Sequence, residues 1–176
     1  MWAEASGFDA CGVDVSEAAA RATRSKLSCH SLIAVADAIA LCFPSEMFHY
    51  VLALGSLEHT SDIPAALQEA HRVLKPSGLI VLLVPNSRFL CGLWPGTEQR
   101  KHVREELHTL DEWKSLIQAA GLRVTVVHND LERFHPSLDK GLLQWCTASI
   151  ARLLLASIPL QWTYQFVFVC ERDPRL

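Results

Sequence analysis

A chain of 176 residues suits one domain and is long enough to bury a core. Half of the residues are hydrophobic and a fifth are charged, which marks a globular rather than a disordered chain. The formal net charge of -3 gives no electrostatic reason for nucleic acid as a partner, and the small basic cluster of Arg100, Lys101 and Arg104 reads as a solvated face.

The six cysteines (Cys11, Cys29, Cys42, Cys91, Cys146, Cys170) form no C-x-x-C pair, and several lie in apolar runs where a thiol behaves as a small hydrophobe. They read as reduced residues of a cytoplasmic protein, with no disulfide framework and no zinc site. Met1 to Glu4 carries neither a basic region nor an apolar stretch, so it does not read as a signal peptide. Leu142 to Leu160 is apolar but interrupted by Gln144, Arg152 and Pro159, which favours a buried or surface-docked helix over a transmembrane span. Peripheral membrane contact stays open as an alternative.

In chain order, Phe8 to Ser16 opens with a short apolar-rich stretch containing β-branched Val13 and Val15, read as a buried strand. Ser16 caps a helix over about Glu17 to Lys26, rich in alanine and arginine. A second strand runs from Leu32 to Ala36 and ends at Asp37. A third covers about Tyr50 to Leu54, with Phe48 before it and Gly55-Ser56 after it. Ser61 or Asp62 caps the next helix, Pro64 sits in its first turn, and Ile63, Leu67, Ala70, Val73 and Leu74 share one face. Lys75 to Gly78 reads as a stop with a turn glycine. Leu79 to Val84 is a continuous apolar strand, expected to be covered on both faces.

Asn86 to Leu107 is irregular and long enough to be a functional loop. Thr109 and Glu112 form a capping-box pattern, and Leu110, Trp113, Leu116, Ile117 and Ala120 make the buried stripe of a helix that Gly121 ends. Leu122 to Val127 is a strand, an apolar helix is predicted over about Leu142 to Ser157, and Tyr164 to Cys170 is the last strand, with one antiparallel member admitted near the end. Alternating strands and helices predict a single α/β domain, a Rossmann-like three-layer sandwich around a mostly parallel sheet.

Three strand ends carry small or acidic residues: Asp14 with Val15, Asp37 with Ala38, and Leu54-Gly55 followed by Glu58-His59. Ligands of open α/β sheets bind outside such carboxyl ends, where a carboxylate can accept hydrogen bonds from ribose hydroxyls. The ordered set, with Leu57-Glu58-His59-Thr60, the helix and stop from Ala65 to Gly78, the strand to Pro85-Asn86 and the helix start at Thr109, resembles the class I S-adenosylmethionine-dependent methyltransferases, and their small-molecule, type 11-like subgroup in particular. The resemblance implies that Asp14 and Val15 meet the ribose of S-adenosylmethionine, that Asp37 and Ala38 meet the adenine, and that Leu54 and Gly55 present backbone to the methionine part. It places Glu58 and His59 at the mouth of the same cleft. His59 is the candidate general base, because imidazole takes a proton near neutral pH; the bland alternative is a structural histidine, since many methyl transfers need only alignment. The remaining histidines show no ligand spacing, and no metal site is expected.

The family pattern begins with an apolar strand and a glycine-rich turn upstream of the Asp14 strand, and Met1 to Gly7 looks like the tail of the helix that follows them. By resemblance, that strand belongs at the centre of the sheet, between the Asp14 strand and the Val51 strand. The chain is therefore expected to be N-terminally truncated by on the order of 20 to 30 residues, about one such unit, to bind S-adenosylmethionine weakly or not at all, and to aggregate. The resemblance implies methyl transfer to a small-molecule or lipid-like acceptor, shaped by Ser87 to Leu107 and Arg133 to Trp162. The rival from another class is a catalytically inactive methyltransferase-like fragment or interaction module. A nicotinamide-dependent dehydrogenase shares the strand-end Asp but fits the Glu58-His59 neighbourhood worse. Oligomeric state, acceptor atom and pathway are not legible.

Overall fold

The computed structural model describes residues 6–27, 31–89, 106–130 and 158–175. The predicted helix over Leu142 to Ser157 and most of the Asn86 to Leu107 loop lie outside them. β1 (Cys11–Asp14) leads into α1 (Glu17–Arg24) and β2 (Leu32–Val35), and β3 (Phe48–Leu54) is followed by a 3-10 turn at Leu57–His59. Then come α2 (Ile63–Val73), β4 (Leu74–Pro85), α3 (Leu110–Ala119), β5 (Leu122–Asn129) and β6 (Gln165–Arg172).

The helix starts follow from their caps. Ser16 accepts from the Ala19 amide, Asp62 accepts from the Ala65 amide at 2.9 Å, and Thr109 and Glu112 exchange both bonds of a capping box. α2 buries Ile63, Ala66, Leu67, Ala70 and Val73, and α3 buries Trp113 and Ile117. Both helices face the fully buried Ile80, Leu82, Val84, Phe166 and Phe168 of β4 and β6 in one hydrophobic core. Each such large side chain stabilises the fold by roughly 1.5–3 kcal/mol relative to exposure. The Trp113 indole N–H donates to the Pro85 carbonyl at 3.0 Å, so the largest core residue is also satisfied in its polar atom.

Two expectations need correction. Leu74 belongs to β4, not to the preceding helix, and Lys75–Gly78 is no separate turn. Phe48 pairs with Leu74 and Tyr50 with Leu79, so these four residues bulge out of the β3–β4 ladder. Gly78 is required by close approach: a Cβ there would lie 2.6 Å from Leu74 Cδ1 and 2.9 Å from the His49 carbonyl oxygen. Secondly, β4 is fully buried on one face only, with Leu79, Val81 and Leu83 half-exposed on the other. On that same side β3 exposes Tyr50, Leu52 and Leu54.

The strands form two sheets among the described residues. β1 and β2 pair in parallel, and β3, β4, β6 and β5 follow in that spatial order. β3 is parallel to β4, whereas β6 runs antiparallel to both β4 and β5 and is the reversed member that the end of the sequence admits. The break between β1 and β3 falls where the resemblance places a central strand.

Candidate functional site

The parallel pairing of β1 with β2 sets Asp14 opposite Val35, and the Ala36 amide donates to the Asp14 carbonyl at 3.2 Å. Asp14 and Asp37 therefore stand on adjacent strand ends at one edge. In each, one carboxylate oxygen is committed locally: Asp14 Oδ1 accepts from the Ser16 amide at 2.8 Å and Asp37 Oδ1 from the Ile39 amide at 3.2 Å. These Asx turns fix each carboxylate, and the second oxygen remains to accept from a ligand hydroxyl or amine. Val15 is 68% exposed on the rim, and Ala38 packs against the core.

Leu54 and Gly55 lie across the break, on the other sheet. Gly55 has φ +68, a left-handed conformation that side-chain-bearing residues rarely adopt, and its amide donates to the Leu83 carbonyl at 2.9 Å. The chain thus turns sharply off β3 with bare backbone at the strand end. Glu58 is buried, its Oε1 lies 3.8 Å from where a Cβ on Gly55 would stand, and its carbonyl accepts from the Glu106 amide at 2.9 Å. His59 is exposed on the 3-10 turn. The structure therefore brings Asp14 and Asp37 together, sets Leu54-Gly55 apart from them, and leaves His59 on the outside.

Several further side chains join segments that are distant in the sequence. Asn86 is buried, and its amide donates to the carbonyls of Gln161 and Thr163, tying the end of β4 to the approach of β6. His108 packs edge-on against Trp113, with its Nε2 3.4 Å from Glu106. The pair Glu69 and Arg72 has a legible signal, opposite charges three apart on a helix, yet its partners in the Leu41–Ser45 loop do not follow from that spacing.

A family model described as a methyltransferase domain matches residues 1–82. The 27-O-demethylrifamycin SV methyltransferase of Amycolatopsis mediterranei (strain S699) is 30% identical over 142 residues, 74% of this chain and 51% of that protein. The S-adenosylmethionine-dependent methyltransferase from Mesorhizobium loti superposes with a TM-score of 0.69 at 18% identity, covering 97% of this chain and 84% of that one. In sequence and in fold the chain is similar to the class I S-adenosylmethionine-dependent methyltransferases. The chain spans about half the length of its Amycolatopsis relative. A further structural relative is the 1,6-didemethyltoxoflavin-N1-methyltransferase of Burkholderia thailandensis, determined with 1,6-didemethyltoxoflavin and S-adenosylhomocysteine bound. It has a TM-score of 0.63 at 13% identity, and the match covers 97% of this chain and 64% of that chain. Among the described residues no helix is long and apolar enough to cross a membrane.

Proposed function

We propose that this methyltransferase domain takes S-adenosylmethionine at the carboxyl ends of β1, β2 and β3 and serves methyl transfer to a small-molecule or lipid-like acceptor. The observation that carries the reading is the paired strand end, Asp14 beside Asp37, each carboxylate fixed by its own turn. In this assignment Asp14 with Val15 meets the ribose, Asp37 with Ala38 meets the adenine, and Leu54-Gly55 offers backbone to the methionine part. When bound, the cofactor supplies an electrophilic methyl on a sulfonium, and the residues of the chain orient the partners and exclude water.

An apolar acceptor is supported by exposed Leu107, next to the His108 bridge to Asn86 at the end of β4. The two relatives named for demethylrifamycin and didemethyltoxoflavin support a small organic molecule. His59, exposed and outside the core, suits a base that reaches an acceptor from the surface. The break between β1 and β3 divides the cofactor edge, which makes the affinity of this chain by itself weak. That same break favours the second reading, an interaction module without turnover.

Amide chemical shifts recorded during a titration with S-adenosylhomocysteine test the assignment. The expected perturbations cluster at Gly12–Ser16, Ala36–Ile39 and Leu54–Ser56. Perturbations confined to other elements, or none at millimolar ligand, overturn it.

A further inference from the structure

The loop between β2 and β3 is held on α2 by one ion pair. Arg72 Nε and Nη2 donate to Glu69 at 2.6 and 2.8 Å, and both side chains are largely covered, 33% and 20% exposed. The pair then grips the loop from both ends of one residue. Glu69 Oε2 accepts from the Leu41 amide at 2.7 Å, while Arg72 Nη2 donates to the Leu41 carbonyl at 3.1 Å. Arg72 Nη1 donates to the Phe43 carbonyl at 2.8 Å and reaches the Ser45 hydroxyl at 3.5 Å. Further along, the amides of Glu46 and Met47 donate to the carbonyls of Arg72 and Val73, both at 2.9 Å.

This arrangement bears on Asp37. The Asp37 carboxylate accepts from Ile39 and its carbonyl from Ala40, so Asp37 to Ala40 is one closed turn. Ala38 and Ile39 rest against the core. The turn defines its own shape and leans on the core, and the next residue, Leu41, ties it to Glu69 and Arg72 of α2. A planar guanidinium supplies donors in a fixed fork, which a flexible ammonium does not. Charge-assisted bonds of this kind are roughly twice as strong as neutral ones.

We infer that Glu69 and Arg72 are positioning residues for the adenine, holding the Asp37–Phe43 loop where Asp37 and Ala38 meet the base; this rests on the proposed reading of Asp37. The bond with Arg72 draws the Glu69 carboxyl below its usual range, so the pair is ionised at neutral pH. The pair touches no reacting group, and its effect passes through the loop.

The test is adenosine binding to the whole chain, followed by ligand-observed NMR together with the urea midpoint. Arg72→Ala is expected to weaken adenosine binding by about tenfold, as misplacement of binding groups does. Arg72→Lys, which keeps the charge without the fork, is expected to recover only part of it. Ile117→Val, a core change in α3 that lowers the urea midpoint, is expected to leave affinity unchanged, which separates positioning from loss of stability. If Arg72→Ala does not fold, Arg72→Lys and Glu69→Gln carry the comparison. Affinity within twofold of the parent in the folded Arg72 variants, with binding lost in Asp37→Ala, overturns the inference and leaves the cofactor reading standing. Adenosine binding that is absent, or indifferent to Asp37→Ala, overturns both.

Discussion

The Phe8 ring stands edge-on to Tyr50, with centroids 5.8 Å apart, and so joins the approach of β1 to β3 across the break between the two sheets. Both rings are about half-exposed, 48% and 55%. A side-chain contact therefore spans a place where backbone hydrogen bonds join neither strand to the other.

Removing this contact is expected to loosen the smaller sheet. Edge-to-face pairs contribute about 0.5–1.5 kcal/mol, and exposure puts this one at the lower end. Phe8→Ala is expected to lower hydrogen-exchange protection of the amides in Cys11–Asp14 by about twofold to threefold, while β4 and β6 keep theirs. Uniform loss across all strands contradicts a local role.

The outer side of β3, with Tyr50, Leu52 and Leu54 exposed in alternation, is an apolar strip on an unpaired strand edge. Such edges associate. Leu52→Lys is expected to reduce concentration-dependent self-association in sedimentation velocity without altering the circular dichroism spectrum. Equal association of parent and variant contradicts involvement of this strip.

The bulge at Lys75–Gly78 depends on the missing side chain of Gly78. A methyl there meets Leu74 and the His49 carbonyl, and the backbone oxygen cannot swing aside. Gly78→Ala is expected to cost about 1–3 kcal/mol, the range for overpacking, read as a lower urea midpoint at unchanged slope. An unchanged midpoint means that the β3–β4 register has room to shift.

Stability is expected to fall in acid in two stages. Burial, and secondarily the Arg172 guanidinium, holds the His71 imidazole below its ordinary 6.5. The native state then binds fewer protons than the unfolded chain, so stability rises with pH and is lost as pH falls below about 6.5. Glu69 is lowered by its bond to Arg72, and Asp173 is lowered to about 2 by Arg175. Their contributions are complete above the ordinary carboxylate values and disappear as pH falls through the lowered ones. Melting temperatures from pH 7.5 to 3 are expected to show both losses, and His71→Gln is expected to remove only the upper one. Superimposable curves for parent and variant between pH 7.5 and 5.5 contradict this.

Elements with local signals were legible in the sequence, and contacts between distant segments were not. The caps at Ser16, Asp62 and Thr109, the stripe around Trp113 and the strand ends at Asp14, Asp37 and Gly55 each follow from residues within a few positions of one another. The Lys75–Gly78 bulge depends on the register with β3, and a Lys-Pro-Ser-Gly stretch reads equally well as a turn. The burial of Glu58 goes with a backbone bond to Glu106, 48 residues on, which no local pattern conveys. The hold of Arg72 on the Leu41 and Phe43 carbonyls spans 31 and 29 residues, which helix periodicity cannot convey.

Isothermal titration of the monomeric fraction of the chain with S-adenosylhomocysteine tests the proposed, divided cofactor edge most directly. Weak, millimolar binding that Asp14→Ala abolishes is the predicted result, because Asp14 and Asp37, the proposed ribose and adenine partners, stand together while Leu54-Gly55 lies across the break. Micromolar binding by the monomer contradicts it.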